Sequence, residues 1–382
     1  MTIEQYINQK RLVETFTELI QINSPSFKER EIGDVLAKKL ESAGCRVEIQ
    51  EYAGSINVIA FKKGNSPETL PLLLSGHMDT IEPTEGIAFS VGDELIRTTG
   101  DTVLGADDKS ALAQIIEALT ALEQNRIPHG DIEIAFTSGE EKGLFGVRNL
   151  DLSRLRSRHA LVLDSSGAVG KLVIAAPTHI SYEMRITGRS AHAGIEPEKG
   201  INAIRVAAEI IAAVPDGRID AGTTANIGMI KGGTATNVVP KEAFINGEIR
   251  GHSAGTIECI KQNIFGTARM AAEKSRARIT ISENEEYRAF RIDKDNSFLN
   301  FLSGIFKRCG IEPAYTVTGG GSDANIFNQH GITAVNISNG MQKVHSTDEH
   351  IYLKDLHNGC LVVLRTIAEF GGFSPCPGMS RS

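Results

Sequence analysis

Apolar positions at the start of the chain recur with helical spacing. Tyr6, Ile7, Leu12, Val13, Phe16, Leu19 and Ile20 fall near one face at a period of about 3.6. Ile32, Val35, Leu36 and Leu40 do so again after the break at Asn23-Ser24-Pro25-Ser26. Thr2 and Gln5 suit a capping box for the first helix, and Gly44 suits the stop of the second. Strands are then expected over 45–52, 56–61 and 70–75, a mostly buried Ala-rich helix over 110–122, and further strands over 132–137 and 160–163. Helices alternating with strands predict an α/β sheet covered on both faces.

The pattern changes near residue 178. Residues 181–187 alternate polar and apolar, as a half-exposed antiparallel strand does. Strands over 225–230, 243–250 and 277–282 and helices over 201–214 and 256–275 complete a small α+β sandwich. After Arg291 the α/β pattern resumes, with a helix over 298–309, strands near 313–317 and 333–337, and a last helix over 353–370. The expected architecture is therefore a discontinuous α/β domain, 1–177 plus 291–382, interrupted by an inserted domain over 178–290. The Pro/Gly/Ser-rich tail, 371–382, is expected to be mobile.

Composition narrows the function classes. The 382 residues carry 40 basic and 47 acidic side chains, a formal charge of −7, which disfavours long-range attraction to nucleic acid or anionic membrane. Trp is absent and aromatics make up 5%, so no stacking platform for nucleic acid stands out. No apolar run approaches the roughly 20 residues that span a bilayer. The first residues lack the basic and apolar regions of a signal peptide. Five scattered cysteines without a CxxC pair suit a reducing compartment, and a cytoplasmic location is expected.

Three apolar runs end abruptly in metal-ligand types. Leu72-Leu73-Leu74 leads into Ser75-Gly76-His77-Met78-Asp79. The run 132–136 leads into Thr137-Ser138-Gly139-Glu140-Glu141, and Leu161-Val162-Leu163 into Asp164. Strand ends at one sheet edge can converge on one point, and ligands of open α/β sheets bind beyond such edges. Singly, each has a bland explanation: a hydrogen-bonded histidine, a solvated acidic turn, a helix N-cap. Together they place charges where burial is costly unless they are paired or bound to metal. Serine hydrolysis is not expected, on the reading that neither a G-x-S-x-G elbow nor an ordered triad is evident. Gly319-Gly320-Gly321 lacks the GK[ST] of a nucleotide loop.

The full set resembles the co-catalytic metallopeptidases that include peptidase T, carboxypeptidase G and the acetylornithine and succinyl-diaminopimelate deacylases. The resemblance rests on Ser75-Gly76-His77-Met78-Asp79-Thr80, Leu104-Gly105-Ala106-Asp107-Asp108-Lys109, Thr137-Ser138-Gly139-Glu140-Glu141 and Leu163-Asp164. It continues through Ser190-Ala191-His192-Ala193-Gly194, Thr236-Asn237, Gly319-Gly320-Gly321-Ser322-Asp323 and Val344-His345-Ser346. These segments span nearly the whole chain in order, and the phrasing of the first two is nearest the peptidase T branch.

The resemblance implies a zinc-exopeptidase-like domain with a mixed sheet, and an insert serving as lid and dimerisation domain. It implies two zinc ions, bridged by Asp107, with His77 and Asp164 completing one site and Glu141 and His345 the other. Cobalt or manganese also suit such N/O donors. Asp79 is then the acceptor that orients His77, Glu140 the general base, and the Asp107–Asp108 peptide cis. His192 and Asn237 are implied to act on the oxyanion or substrate, Arg250 to grip a substrate carboxylate, and the backbone at Gly320 to cradle one. The implied protein is a homodimer that hydrolyses short peptides as an aminopeptidase or tripeptidase. An N-acyl-amino-acid deacylase or carboxypeptidase shares the same centre, and a non-catalytic metal-binding homologue shares the fold.

Overall fold

A computed structural model describes residues 3–66 and 71–373. Thr2, Leu70, Cys376 and the tail from residue 374 lie outside them, so the capping box at Thr2 and the tail's expected mobility have no structural counterpart here. The described chain forms two compact units. The first runs to Ile174 and resumes over Arg291–Val317 and from Ser322. The second comprises Ala175–Phe290 and Thr318–Gly321.

The first unit is built on a nine-stranded mixed sheet. Its order begins Arg46–Tyr52, Ser55–Lys62, Ile132–Thr137, Leu72–His77, His159–Ser165, Thr333–Ser338 and Lys171–Ala176. The strands Ile132–Thr137, Leu72–His77, His159–Ser165 and Thr333–Ser338 run parallel, with His77 beside Thr137 and Ser75 beside Val162. This register brings the ends of the three ligand-bearing runs to one edge. The runs are continuous rather than alternating because both faces are covered. Gly33 of the helix Arg30–Ser42 meets Ile56 and Val58, and Gly76 meets Ala111 and Leu112 of the helix Ala106–Asn125. Val58, Phe136 and Gly76 are in register, so these two helices share a face. Asn57 and Thr137 point the other way, to Gly146 of the short helix Phe145–Arg148 and to Asp323 of the helix Asp323–Gln329.

Several elements differ from the sequence reading. The first α-helix is Gln9–Ile20, capped by Asn8, whose side chain accepts from the Arg11 N–H; a 3-10 turn, Ile3–Tyr6, precedes it. The buried helix begins at Ala106, yet Asp107 and Asp108 keep non-helical backbone angles at its mouth. A four-stranded sheet of short pieces was not expected: Met341–Gln342, His350–Tyr352, Leu95–Thr98 and Phe89–Val91.

The second unit is a five-stranded antiparallel sheet in the order Gly217–Asp220, Thr223–Gly232, Glu242–Gly251, Thr178–Thr187, Arg278–Tyr287. Ile180, Tyr182, Met184 and Ile186 alternate inward and pack with Val206, Ile210, Ile260 and Ile264 of the helices Ala203–Ala213 and Ala254–Lys274, which therefore cover one face. The string Gly251-His252-Ser253-Ala254-Gly255 does have the G-x-S-x-G form between a strand and a helix. Ser253 there is an unstrained N-cap (φ −112°) whose hydroxyl accepts from the Thr256 N–H. Among the described residues no helix is long and apolar enough to cross a membrane.

Candidate metal centre

His77 closes its strand and is buried. Its Nδ1 lies 2.8 Å from the main-chain oxygen of Asp79 and must donate there. That leaves Nε2 facing carboxylates, Asp107 Oδ1 at 3.0 Å and Asp164 Oδ1 at 4.0 Å, where a proton or a cation must lie between them. Burial disfavours a charged His77, but its hydrogen bonds to Asp107 and Asp79 outweigh this and raise its pKa well above the ordinary value.

Asp107 hangs from the turn after Gly105, whose φ of +75° suits glycine. Its Oδ1 faces His77, and its Oδ2 lies 3.2 Å from Nε2 of His345. Burial opposes its charge, but hydrogen bonds from His345 and His77 hold the carboxyl far below the usual range. The Asp107–Asp108 peptide is cis. His345 also reaches Glu141 Oε1 at 2.8 Å, and the two acids push its imidazole up to about 10. Burial and neighbouring carboxylates drive Glu140 and Asp164 the opposite way from Asp107, well above the usual carboxylate range.

Three ligand-sized groups thus converge: His77, Asp107 and Asp164; His77, Glu140 and Glu141; Asp107, Glu141 and His345, with donor atoms in each within 4.8 Å of one another. Four carboxylates and two imidazoles of this arrangement fit divalent metal. Imidazole and carboxylate are its common ligands, and like charges so close need a cation among them.

Asp79 adjoins the histidine it was expected to orient and also reaches the turn beyond it. Its carboxylate lies 3.5 Å from Nδ1 of His77, but Oδ1 accepts from Glu140 N at 3.0 Å. Its Oδ2 accepts from Glu141 N at 3.3 Å and from the Ser26 hydroxyl at 2.7 Å. It therefore caps the turn that carries the two glutamates.

Other buried acids were given no role in the sequence reading. Glu29 accepts from Phe27 N at 2.8 Å and Gly139 N at 2.9 Å. Asp108 accepts from His77 N and from the Asn339 amide. Asp323 accepts from the Thr137 hydroxyl at 2.6 Å, and burial raises it to about 6. Glu349 accepts from Gly105 N and Asp107 N. Lys109, 1% exposed, donates to Ile22 O, and burial lowers it to about 7. The doubled acid in Asp107-Asp108 was a visible signal. Glu29 and Glu349 resemble surface acids in sequence.

The remaining candidates belong to the second unit. Exposed His192 and Asn237 adjoin there, with Ala193 N donating to Asn237 O at 3.0 Å. Arg250 forks onto Glu248 (Nε–Oε1 3.0 Å, Nη2–Oε2 3.1 Å) and contacts the Tyr287 hydroxyl at 3.3 Å. Gly320 N donates to Thr318 Oγ1 at 3.1 Å.

Known proteins resemble the chain over nearly its whole length. Residues 57–193 match the model of peptidase family M28, and residues 174–275 match a peptidase dimerisation domain. The uncharacterized protein YqjE of Bacillus subtilis is 37% identical over 95% of this chain and 99% of its own. The solved structure of aminopeptidase PepT from Bacillus cereus is 37% identical, covering 95% of this chain and 99% of that one, with a TM-score of 0.85. A tripeptidase structure from Staphylococcus aureus is 33% identical, covering 96% and 100%, with a TM-score of 0.90.

Proposed function

The chain belongs to the M20/M28 metallopeptidases, close to their peptidase T-like members, and from that premise we propose that it is a cytoplasmic, dinuclear zinc exopeptidase that trims short peptides as an aminopeptidase or tripeptidase. The observation that carries this reading is Asp107, whose two oxygens each face a different histidine, at 3.0 and 3.2 Å. Asp107 would be shared by two ions, with His77 and Asp164 completing one ligand set and Glu141 and His345 the other. Ions held there would supply Lewis acidity toward an amide carbonyl and toward water.

The protein's own groups do the rest. Glu140 takes a proton from the attacking water and delivers it to the leaving amine. Its neighbour Glu141, 2.8 Å from His345, is assigned to the metal instead. Asp79 holds both glutamates by their main-chain N–H groups and keeps their spacing fixed. In the second unit, His192 and Asn237 are assigned to the oxyanion and Arg250 and the Gly320 backbone to a substrate carboxylate. The match to a peptidase dimerisation domain supports a homodimer formed through this unit.

The test is a panel of di- and tripeptides set against N-acetylated amino acids, with zinc, cobalt or manganese supplied in turn. Free-amine release from unblocked peptides is expected. Turnover of the acylated compounds alone would sink the exopeptidase reading in favour of a deacylase.

A further inference from the structure

Glu349 sits four residues past His345, at the entry to the strand His350–Tyr352, and is 1% exposed. Its Oε2 accepts from Gly105 N at 2.7 Å and its Oε1 from Asp107 N at 3.0 Å. Its own N–H donates to Ser346 O at 3.2 Å, and the Ser346 hydroxyl donates to Lys343 O at 2.6 Å, closing the turn that presents His345. The main-chain N–H of Thr98 reaches Glu349 O at 3.4 Å, tying this turn to the short strand Leu95–Thr98.

An acid here is electrostatically awkward, because it is buried beside the carboxylate of Asp107. Its geometry explains it. Two main-chain N–H groups, two residues apart, converge on one side chain, and only a carboxylate offers an acceptor oxygen to each. A glutamine would turn one NH2 toward a donor. No group at this position touches a ligand atom of His77, His345 or Glu141; what Glu349 holds is the backbone on either side of the His345–Asp107 contact.

We propose that Glu349 is a positioning residue of the metal centre: by clamping the Asp107 loop to the His345 turn, it sets the spacing at which these two side chains share a ligand site. The proposal rests on the metallopeptidase reading. Partners that orient ligands typically account for about 10–100-fold in metal affinity.

The experiment uses the full-length protein as wild type, Glu349→Gln and Glu349→Ala. Each is stripped with a chelator and titrated with zinc against a chromogenic competitor, then assayed on a tripeptide at saturating zinc. Zinc affinity is expected to fall about 10-fold in the glutamine variant and about 100-fold in the alanine variant. Turnover should fall with it, while KM stays within about 2-fold. Should the alanine variant fail to fold, the glutamine variant decides. Wild-type zinc affinity in Glu349→Gln, or a lowered melting temperature with affinity intact, overturns the positioning role alone. A wild-type protein that takes up no zinc overturns this proposal together with the function it rests on.

Discussion

Asp79 offers a sharp test, because its carboxylate contacts the backbone of the turn that carries the proposed base and a proposed ligand. Oδ1 accepts from Glu140 N at 3.0 Å, and Oδ2 from Glu141 N at 3.3 Å and the Ser26 hydroxyl at 2.7 Å, in a side chain with 0% exposure. Asp79→Asn preserves shape but converts one oxygen into a donor. The Ser26 hydroxyl can rotate to accept from the new amide; the Glu141 N–H cannot, and is left facing a donor. Leaving one buried N–H unpaired costs about 2 kcal/mol. If the turn relieves this by shifting, that energy is lost from the aligned state, about 30-fold in kcat. Ser26→Ala removes a donor and leaves both N–H bonds in place, so its kcat is expected to stay within about 3-fold. The assay is steady-state tripeptide hydrolysis at saturating zinc, with melting temperatures measured in parallel. Wild-type kcat in Asp79→Asn, or an equal loss in Ser26→Ala, would refute the idea that Asp79 acts through the two N–H groups.

Glu140→Gln should retain metal, measured by elemental analysis, and lose about 10²–10⁴-fold in kcat; turnover near wild type removes the base assignment. At Gly76 an added Cβ would lie 2.8 Å from Asp108 Oδ2 and 3.1 Å from the Ala111 Cβ. Gly76→Ala should therefore destabilise by about 2 kcal/mol in denaturant titration and loosen metal binding. His159 packs among the rings of Phe298, Phe370 and Phe373, and burial pushes its imidazole from the ordinary 6.5 down to about 4. The unfolded chain takes up this proton first, so the stability from the neutral ring is full above pH 6.5 and is lost as pH falls through 4. Allowing for partial exposure the loss is about 1.5 kcal/mol, and His159→Leu should flatten the fall in melting temperature between pH 7 and pH 4.5. An unchanged slope would place the acid sensitivity elsewhere.

Long, strongly patterned elements were legible in the sequence. The runs ending at His77, Thr137 and Asp164 are mostly apolar because parallel strands covered on both faces bury nearly every side chain, and such runs stand out. The alternation of the strand Thr178–Thr187 likewise announced a sheet with one open face. What stayed hidden had no period to show. Met341–Gln342 and His350–Tyr352 are too short to alternate, and the helix Asp323–Gln329 is a polar stretch buried by its neighbours rather than by amphipathicity. Asn8, which caps the first α-helix, carries no periodic signal either. The ligand types could be named from resemblance. The acids beneath them could not, since nothing in the sequence around Glu29 or Glu349 distinguishes them from solvated turn residues.

Burial alone does not separate a ligand acid from a structural one at this centre; the partner of each oxygen does. Glu29, Asp79, Asp108 and Glu349 direct oxygens at main-chain N–H groups, and Asp323 directs one at a hydroxyl; Asp79 also lies 3.5 Å from the His77 Nδ1, but that nitrogen already donates to the Asp79 main-chain oxygen. Donors of that kind can stabilise a buried carboxylate without an ion. Asp107 and Glu141 instead face imidazole nitrogens, and Asp164 lies near one of the same nitrogens. These groups need protons or a cation between them, and metal supplies the cation at neutral pH without protonating the histidines. The division also explains why the structural acids crowd so near the ligands. A loop holding a charged ligand at a strand end exposes unpaired N–H groups, and a second carboxylate is the acceptor that satisfies two of them at once. The centre is therefore two layers of the same chemistry, an inner layer facing imidazoles, which we propose as the metal ligands, and an outer layer turned toward backbone. Removing an acid of the outer layer should weaken the inner one without touching a ligand atom.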